Sequence, residues 1–191
     1  MIYKIGVFGS AVNHHKIDEK RVEMLVNELS KEKVVILTGA CSGVPYQIAS
    51  KFAEKNIEVH GYSPEIDLKN QKKLTPEDNL LIYKKLIFSP KCFENISDPE
   101  SRKKYRNVIS TATCDAGIII AGRWGTLNEF TNLHDMGKVI GVLTKTGGIA
   151  DELPKLCKKI DKKSKAKVFF NSNPKTLVKE VMNELKSRTK E

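Results

Sequence analysis

The chain has 191 residues, a formal charge of +10 and four cysteines, with 40% hydrophobic residues. That length suits a single domain over residues 1–191 with its own core and no need of a disulfide or metal staple. Composition excludes several classes. No run of 18 apolar residues occurs, so no membrane partner is expected. No CxxC pair occurs, so neither zinc-finger spacing nor a dense disulfide framework is present. The four thiols fit a reducing compartment, and the start "MIYKIGVFGS" enters a strand pattern directly, so a cytoplasmic location is expected.

The positive charge is unevenly placed. Residues 155–191 hold 12 Lys or Arg against 4 Asp or Glu, so most of the excess lies at one end. Phe169 and Phe170 are the only aromatics there, and they sit in a strand pattern. A solvated lysine-rich face fits better than a nucleic-acid surface, which needs interleaved aromatics for base stacking.

In chain order, "YKIGVFG" (3–9) reads as a short buried strand. A helix follows over 18–32, with Val22, Leu25, Val26 and Leu29 at helical spacing. "VVILTG" (34–39) is a second strand, residues 45–55 a helix, and "IEVHGYS" (57–63) a third strand. Residues 64–79 read as a long polar loop. Residues 80–88 contain a strand with unplaced edges. "SDPE" starts a helix over 99–113, with Ser or Asp as cap and Pro in the first turn. "AGIIIA" is a strand, "TLNEFTNLHDMG" a helix ending on Gly137, and "VIGVLT" a strand. A helix, the strand "KVFF" and a final helix (174–187) complete the chain. Strands that are continuous apolar runs, alternating with helices, specify a Rossmann-like doubly wound α/β fold. Its mostly parallel sheet carries helices on both faces.

Ligands of such sheets bind beyond the carboxyl ends of the strands. Three glycine turns fall at such ends. They are "FGSAVN" (8–13) with Gly9 and Ser10, "TGACSG" (38–43) with Gly39, Ala40 and Gly43, and "AGRWGT" (121–126). The last contains Gly122, Arg123, Trp124, Gly125 and Thr126. Glycine lets the backbone approach a ligand, and a helix starting there aims free N–H groups at an anion. A phosphate is therefore expected between the second and third turns, with Thr126 capping its helix or donating to the phosphate. None of the turns is a Walker A loop or a complete GxGxxG, so no dinucleotide cofactor is expected. No histidine has metal-ligand spacing. His14 and His15 follow the first turn and are in reach of a ligand there. Cys41 sits near a helix start, where a lowered pKa is conceivable, though a small neutral turn residue is the simpler reading. Trp124 is expected over the site or at a subunit contact.

The stretch "AGRWGTLNEF" (121–130) resembles the PGGxGTxxE motif of the LOG (Lonely Guy) family, within the SLOG superfamily of Rossmann-like nucleotide-binding proteins. Gly122, Gly125, Thr126 and Glu129 match. "KKYRNVISTATCDAGIII" resembles the segment in which a family arginine stands nine residues before an aspartate, here Arg106 and Asp115. The likeness covers about residues 3–150 and comes closest to a DprA-related branch. It implies a nucleoside 5′-monophosphate as ligand and a homodimer or higher oligomer. It also implies phosphoribohydrolase activity, cleaving the N-glycosidic bond to free base and ribose 5-phosphate, with Arg106 and Glu129 as the catalytic pair. Two alternatives stand beside it: a non-catalytic carrier or sensor of a nucleotide or of molybdenum cofactor, and a DprA-like protein of single-stranded DNA. Departures from the motif are Ala121 for proline, Arg123 for glycine, and Lys104–Tyr105 for Met-His. The Arg123 change in particular leads to an expectation of tight phosphate binding with little hydrolysis.

Overall fold

Seven strands form one all-parallel sheet in a computed structural model, which describes residues 1–10, 18–96, 98–160 and 162–189. The strands are β1 (Tyr3–Gly9), β2 (Val34–Gly39), β3 (Val59–Tyr62), β4 (Lys85–Ile87), β5 (Ala116–Ile120), β6 (Val139–Leu143) and β7 (Lys167–Asn171). Their order across the sheet is β4-β3-β2-β1-β5-β6-β7. The chain starts in the middle and builds outward through β2, β3 and β4. It then returns to the other side of β1 and builds outward again. The helices are α1 (Glu19–Leu29), α2 (Val44–Glu54), α3 (Leu68–Leu74), α4 (Pro99–Thr113), α5 (Trp124–Asp135), α6 (Ile149–Lys159) and α7 (Pro174–Arg188). The Rossmann-like expectation from the sequence is met.

Both faces of the sheet are covered, which explains the unbroken apolar runs. Side chains alternate between faces along a strand. Ile118 and Ile120 accordingly join the core under α1, α2 and α7, while Ile119 joins the core under α5 and α6. All three isoleucines are fully buried. Each buried side chain of this size contributes about 1.5–3 kcal/mol, so β5 anchors the sheet from both sides.

Local signals set most boundaries. Asp98 caps α4 by accepting from the backbone N–H groups of Glu100 and Ser101, both at 3.1 Å, with Pro99 in the first turn. The polar segment 64–79 is the main departure from the expected elements. It contains a helix, α3, capped by Asp67, whose carboxylate accepts from the Asn70 N–H at 2.8 Å. The helix has no apolar stripe. It docks through fully buried Gln71, whose amide donates to the Ala40 carbonyl at 3.0 Å and to the Thr75 hydroxyl at 2.9 Å, while Ser63 donates to its oxygen at 2.5 Å. A helix anchored by one amide leaves no hydrophobic period to read. Helix α5 also starts two residues earlier than expected, at Trp124. No helix among the described residues is long and apolar enough to cross a membrane.

Candidate functional site

Connections leaving β1 and β5 run to opposite sides of the sheet, because the strand order reverses between them. Such a switch point opens a crevice at the carboxyl ends of the strands. A cavity of about 450 Å³ lies there, lined by Gly9 and Ser10 after β1, by Gly39 and Cys41 at the end of β2, and by Arg123 to Thr126 and Glu129. Helix α4 supplies Glu100, Lys103, Lys104, Arg106 and Asn107, and the α3 region supplies Pro64, Leu74 and Thr75. The fold thus gathers Gly9, Ser10, Gly39, Arg106, Gly122's turn and Glu129 around one space. Ala40 and Gly43 do not line it. His14 and His15 lie outside the described residues.

The two helix starts differ as anion sites. At α5, Arg123 is the N-cap and no side chain caps the helix, so the first-turn N–H groups are without a side-chain acceptor. Gly125 faces open space: a Cβ there would meet nothing within 4 Å. At α2 the donors are largely spent. Val44 N–H donates to the Ser10 carbonyl at 3.1 Å, Pro45 has no N–H, and Ala40 N–H donates to the Tyr62 carbonyl at 2.8 Å. The expected contribution of the second turn to an anion therefore shrinks to its edge.

The α5 turn has its own backbone logic. Gly122 adopts φ +94° with Thr126 packed directly over it, and a Cβ there would lie 2.5 Å from that of Thr126. Ala121 stands at φ +49°, a conformation closed to the proline of the motif. Arg123 has ordinary extended angles, φ −131° and ψ −153°, so it causes no strain. Its side chain is exposed, and Trp124 is 81% exposed at the cavity's rim.

Arg106 and Glu129 meet although 23 residues apart, because α4 packs on α5. Arg106 Nη1 donates to Glu129 Oε1 at 3.4 Å, and both side chains are about nine-tenths buried. Arg106 Nε is buried without a partner among the described residues. The guanidinium lies across Gly39, whose missing side chain makes room for it. Glu129 sits in the second turn of α5, past the reach of a simple helix-dipole role. Burial pushes its pKa up to about 7, against the opposing pull of Arg106 and Lys104. Asn107, with its amide nitrogen turned to Glu129, donates to Oε1 at 3.3 Å.

Neighbouring positions have other duties. Lys104 lines the cavity, whereas Tyr105 stacks on Phe93 with ring centroids 4.1 Å apart. Asp115 accepts from the Lys4 N–H at 2.7 Å and ties β5 to β1. Burial raises the Cys41 pKa, opposite to the effect of a helix start. His60, in β3, contacts Glu58 at 2.6 Å and does not line the cavity. Sequence reasoning missed Asn107 and the α3 wall; Asn107 stands one residue after Arg106 on a packed helix and carries no motif signal.

Beside the cavity runs a mainly apolar groove of about 650 Å³ between α5 and α6, lined by Trp124, Leu127, Ile149 and Leu156 with Arg123, Glu152, Lys155 and Lys159.

Solved structures share this architecture. TM1055, a structural genomics target, is similar with a TM-score of 0.73 at 17% identity, covering 95% of this chain and 99% of that one. The molybdenum cofactor binding protein of Rippkaea orientalis gives 0.68 at 17%, covering 97% and 98%. DNA processing protein A of Helicobacter pylori, described by its single-stranded DNA binding mode, gives 0.64 at 18%, covering 95% and 81%. At these identities the likeness is one of fold. A search of curated protein sequences finds no match. The profile of the SLOG cluster4 family matches residues 2–178, and with the fold and the glycine turns in agreement the chain belongs to that family.

Proposed function

We propose that the cavity binds a nucleoside 5′-monophosphate and that Arg106 and Glu129 cleave its N-glycosidic bond. One observation carries the reading: a buried Arg–Glu pair stands one to two helical turns behind an uncapped helix start that opens on the same cavity. The phosphate sits at the first turn of α5, where the N–H groups and the helix dipole favour negative charge. The ribose then extends along α5 toward Glu129. Cleavage builds positive charge on the sugar, which the Glu129 carboxylate stabilises, or the carboxylate activates the attacking water. Arg106 orients that carboxylate through its 3.4 Å contact. A carrier that binds without turnover is the second reading. It is favoured by the same contact, which occupies a carboxylate oxygen that the reaction needs.

Incubating the protein with AMP and measuring free adenine separates the two. The phosphate placement has its own test. Thr126→Val should weaken AMP binding by about ten-fold or more, the worth of one hydrogen bond to a charged group, and leave adenosine binding as it was. Equal losses for both ligands would remove the phosphate from this turn.

We also propose a homodimer seated on the α5–α6 groove. Glu152 and Lys159 flank Leu156 along α6, so two copies packed antiparallel place each Glu152 near a lysine of the other copy. This covers Trp124, an indole otherwise 81% exposed, and narrows the mouth of the cavity. Light scattering at micromolar concentration should report twice the 21.5 kDa chain mass or a multiple of it. A monomer for the wild type, or a Trp124→Glu variant that remains dimeric, would rule this surface out.

A further inference from the structure

The glycine turn at the start of α5 is braced from behind by the loop between β6 and α6. The Ala121 N–H donates to the buried Thr146 hydroxyl at 2.9 Å, and that hydroxyl donates its own proton to the carbonyl of Leu143, the last residue of β6, at 2.6 Å. The first two N–H groups of α6 hold the other side of the turn. Ile149 donates to the Gly122 carbonyl at 2.9 Å, and Ala150 to the Ala121 carbonyl at 3.0 Å. Gly148 permits this approach, since a Cβ there would strike the Gly122 oxygen.

These bonds hold a conformation that the chain leaves when released. Ala121 stands at φ +49°, which is unfavourable for a residue with a Cβ. The proline of the motif has no N–H. Alanine brings a buried donor to this position, and Thr146 is the acceptor that satisfies it. In a trans peptide the N–H points opposite to the carbonyl. With the Ala121 and Gly122 carbonyls turned to α6, the N–H groups of Gly122 and Arg123 face the other way, and they meet no acceptor among the described residues. Arg123, Gly125 and Thr126 line the cavity there. Arg106, on the same cavity, is a second sign of a ligand: its side chain is about nine-tenths buried and its Nε has no partner among the described residues. We infer that Thr146 is a positioning residue for the phosphate of the ligand. It fixes Ala121 in the left-handed region, so the N–H groups that follow stay aimed at the anion. This rests on the nucleotide reading of the cavity and names a residue, away from the ligand, that sets its phosphate affinity.

Calorimetric titration of the whole protein with AMP and with adenosine tests this. Thr146→Val keeps the shape of the side chain and removes the acceptor. The turn then relaxes, and AMP should bind about ten-fold more weakly, in proportion to the fraction of turns still aimed. Adenosine should bind as it does to the wild type. Thr146→Ser, which keeps the hydroxyl, should bind AMP like the wild type. Amide hydrogen exchange in the wild type gives a reading that needs no variant. The Ala121 N–H should exchange slowly with or without AMP, whereas those of Gly122 and Arg123 should slow only when AMP is added. Unchanged AMP affinity in Thr146→Val, equal losses for AMP and adenosine, a Thr146→Ser variant as weak as Thr146→Val, or fast exchange at Ala121 would overturn the proposal and leave the nucleotide reading standing. No AMP binding by the wild type would overturn both.

Discussion

Glu129→Gln should lower the rate of base release by about a thousand-fold while nucleotide affinity changes by less than about three-fold. The size follows from what one preorganised charge contributes at a developing ion, about two to three orders of magnitude in kcat. The amide is close in shape to the acid, so ground-state contacts persist and the loss falls on the transition state. The reaction needs the ionised form, and burial holds the pKa of Glu129 at about 7. The wild-type rate should therefore rise with pH through about 7 and level off above it. A second measurement follows from the same shift. The ordinary value is 4.5, so between pH 4.5 and 7 the folded state holds more protons at this site than the unfolded state. Stability is then greatest at the acidic end of the window and falls as pH rises, by up to about 3 kcal/mol. Glu129→Gln should lack that slope in urea titrations across the window. An undiminished rate in the variant sinks the catalytic role. The same pH slope in both proteins would show that another group titrates.

Gly39→Ala should lower the same rate by about a hundred-fold with little loss of stability. Gly39 is the last residue of β2, in extended backbone that alanine also adopts. The three atoms nearest the new methyl all belong to the Arg106 guanidinium, the far end of a flexible side chain. The arginine must swing away, and Glu129 loses the group that orients it. A misplacement of about 1 Å is enough for losses of this order. Stability should fall by about 1 kcal/mol, since the β2 ladder is untouched. Arg106→Lys supplies the control. If Gly39→Ala acts through Arg106, the double variant should be no slower than the slower single variant, a coupling that independent effects do not produce. Additive losses, or full activity in Gly39→Ala, would show that the position of Arg106 is immaterial.

Elements with a hydrophobic period were legible from the residues alone. Continuous apolar runs such as "AGIII" named the strands, the spacing of Val22, Leu25, Val26 and Leu29 named α1, and "SDPE" marked the start of α4. Glycine turns at strand ends located the crevice before any coordinates, because tight turns and close backbone approach need residues without a Cβ. The motif residues Arg106 and Glu129 were legible only through their resemblance to a family pattern.

Other features were settled by packing between distant segments. Helix α3 escaped notice because one buried glutamine, not an apolar stripe, holds it in place. Which glycine turn keeps free N–H groups depends on the Ser10 carbonyl reaching Val44 and the Tyr62 carbonyl reaching Ala40. The charge state of Glu129 depends on burial between α4 and α5, and its partner on a guanidinium resting over Gly39. A sequence determines local structure through short-range periodicity and turn chemistry. The site depends on groups as far apart as Gly9 and Glu129 in the chain, whose distances and solvation exist only once the sheet has brought them together.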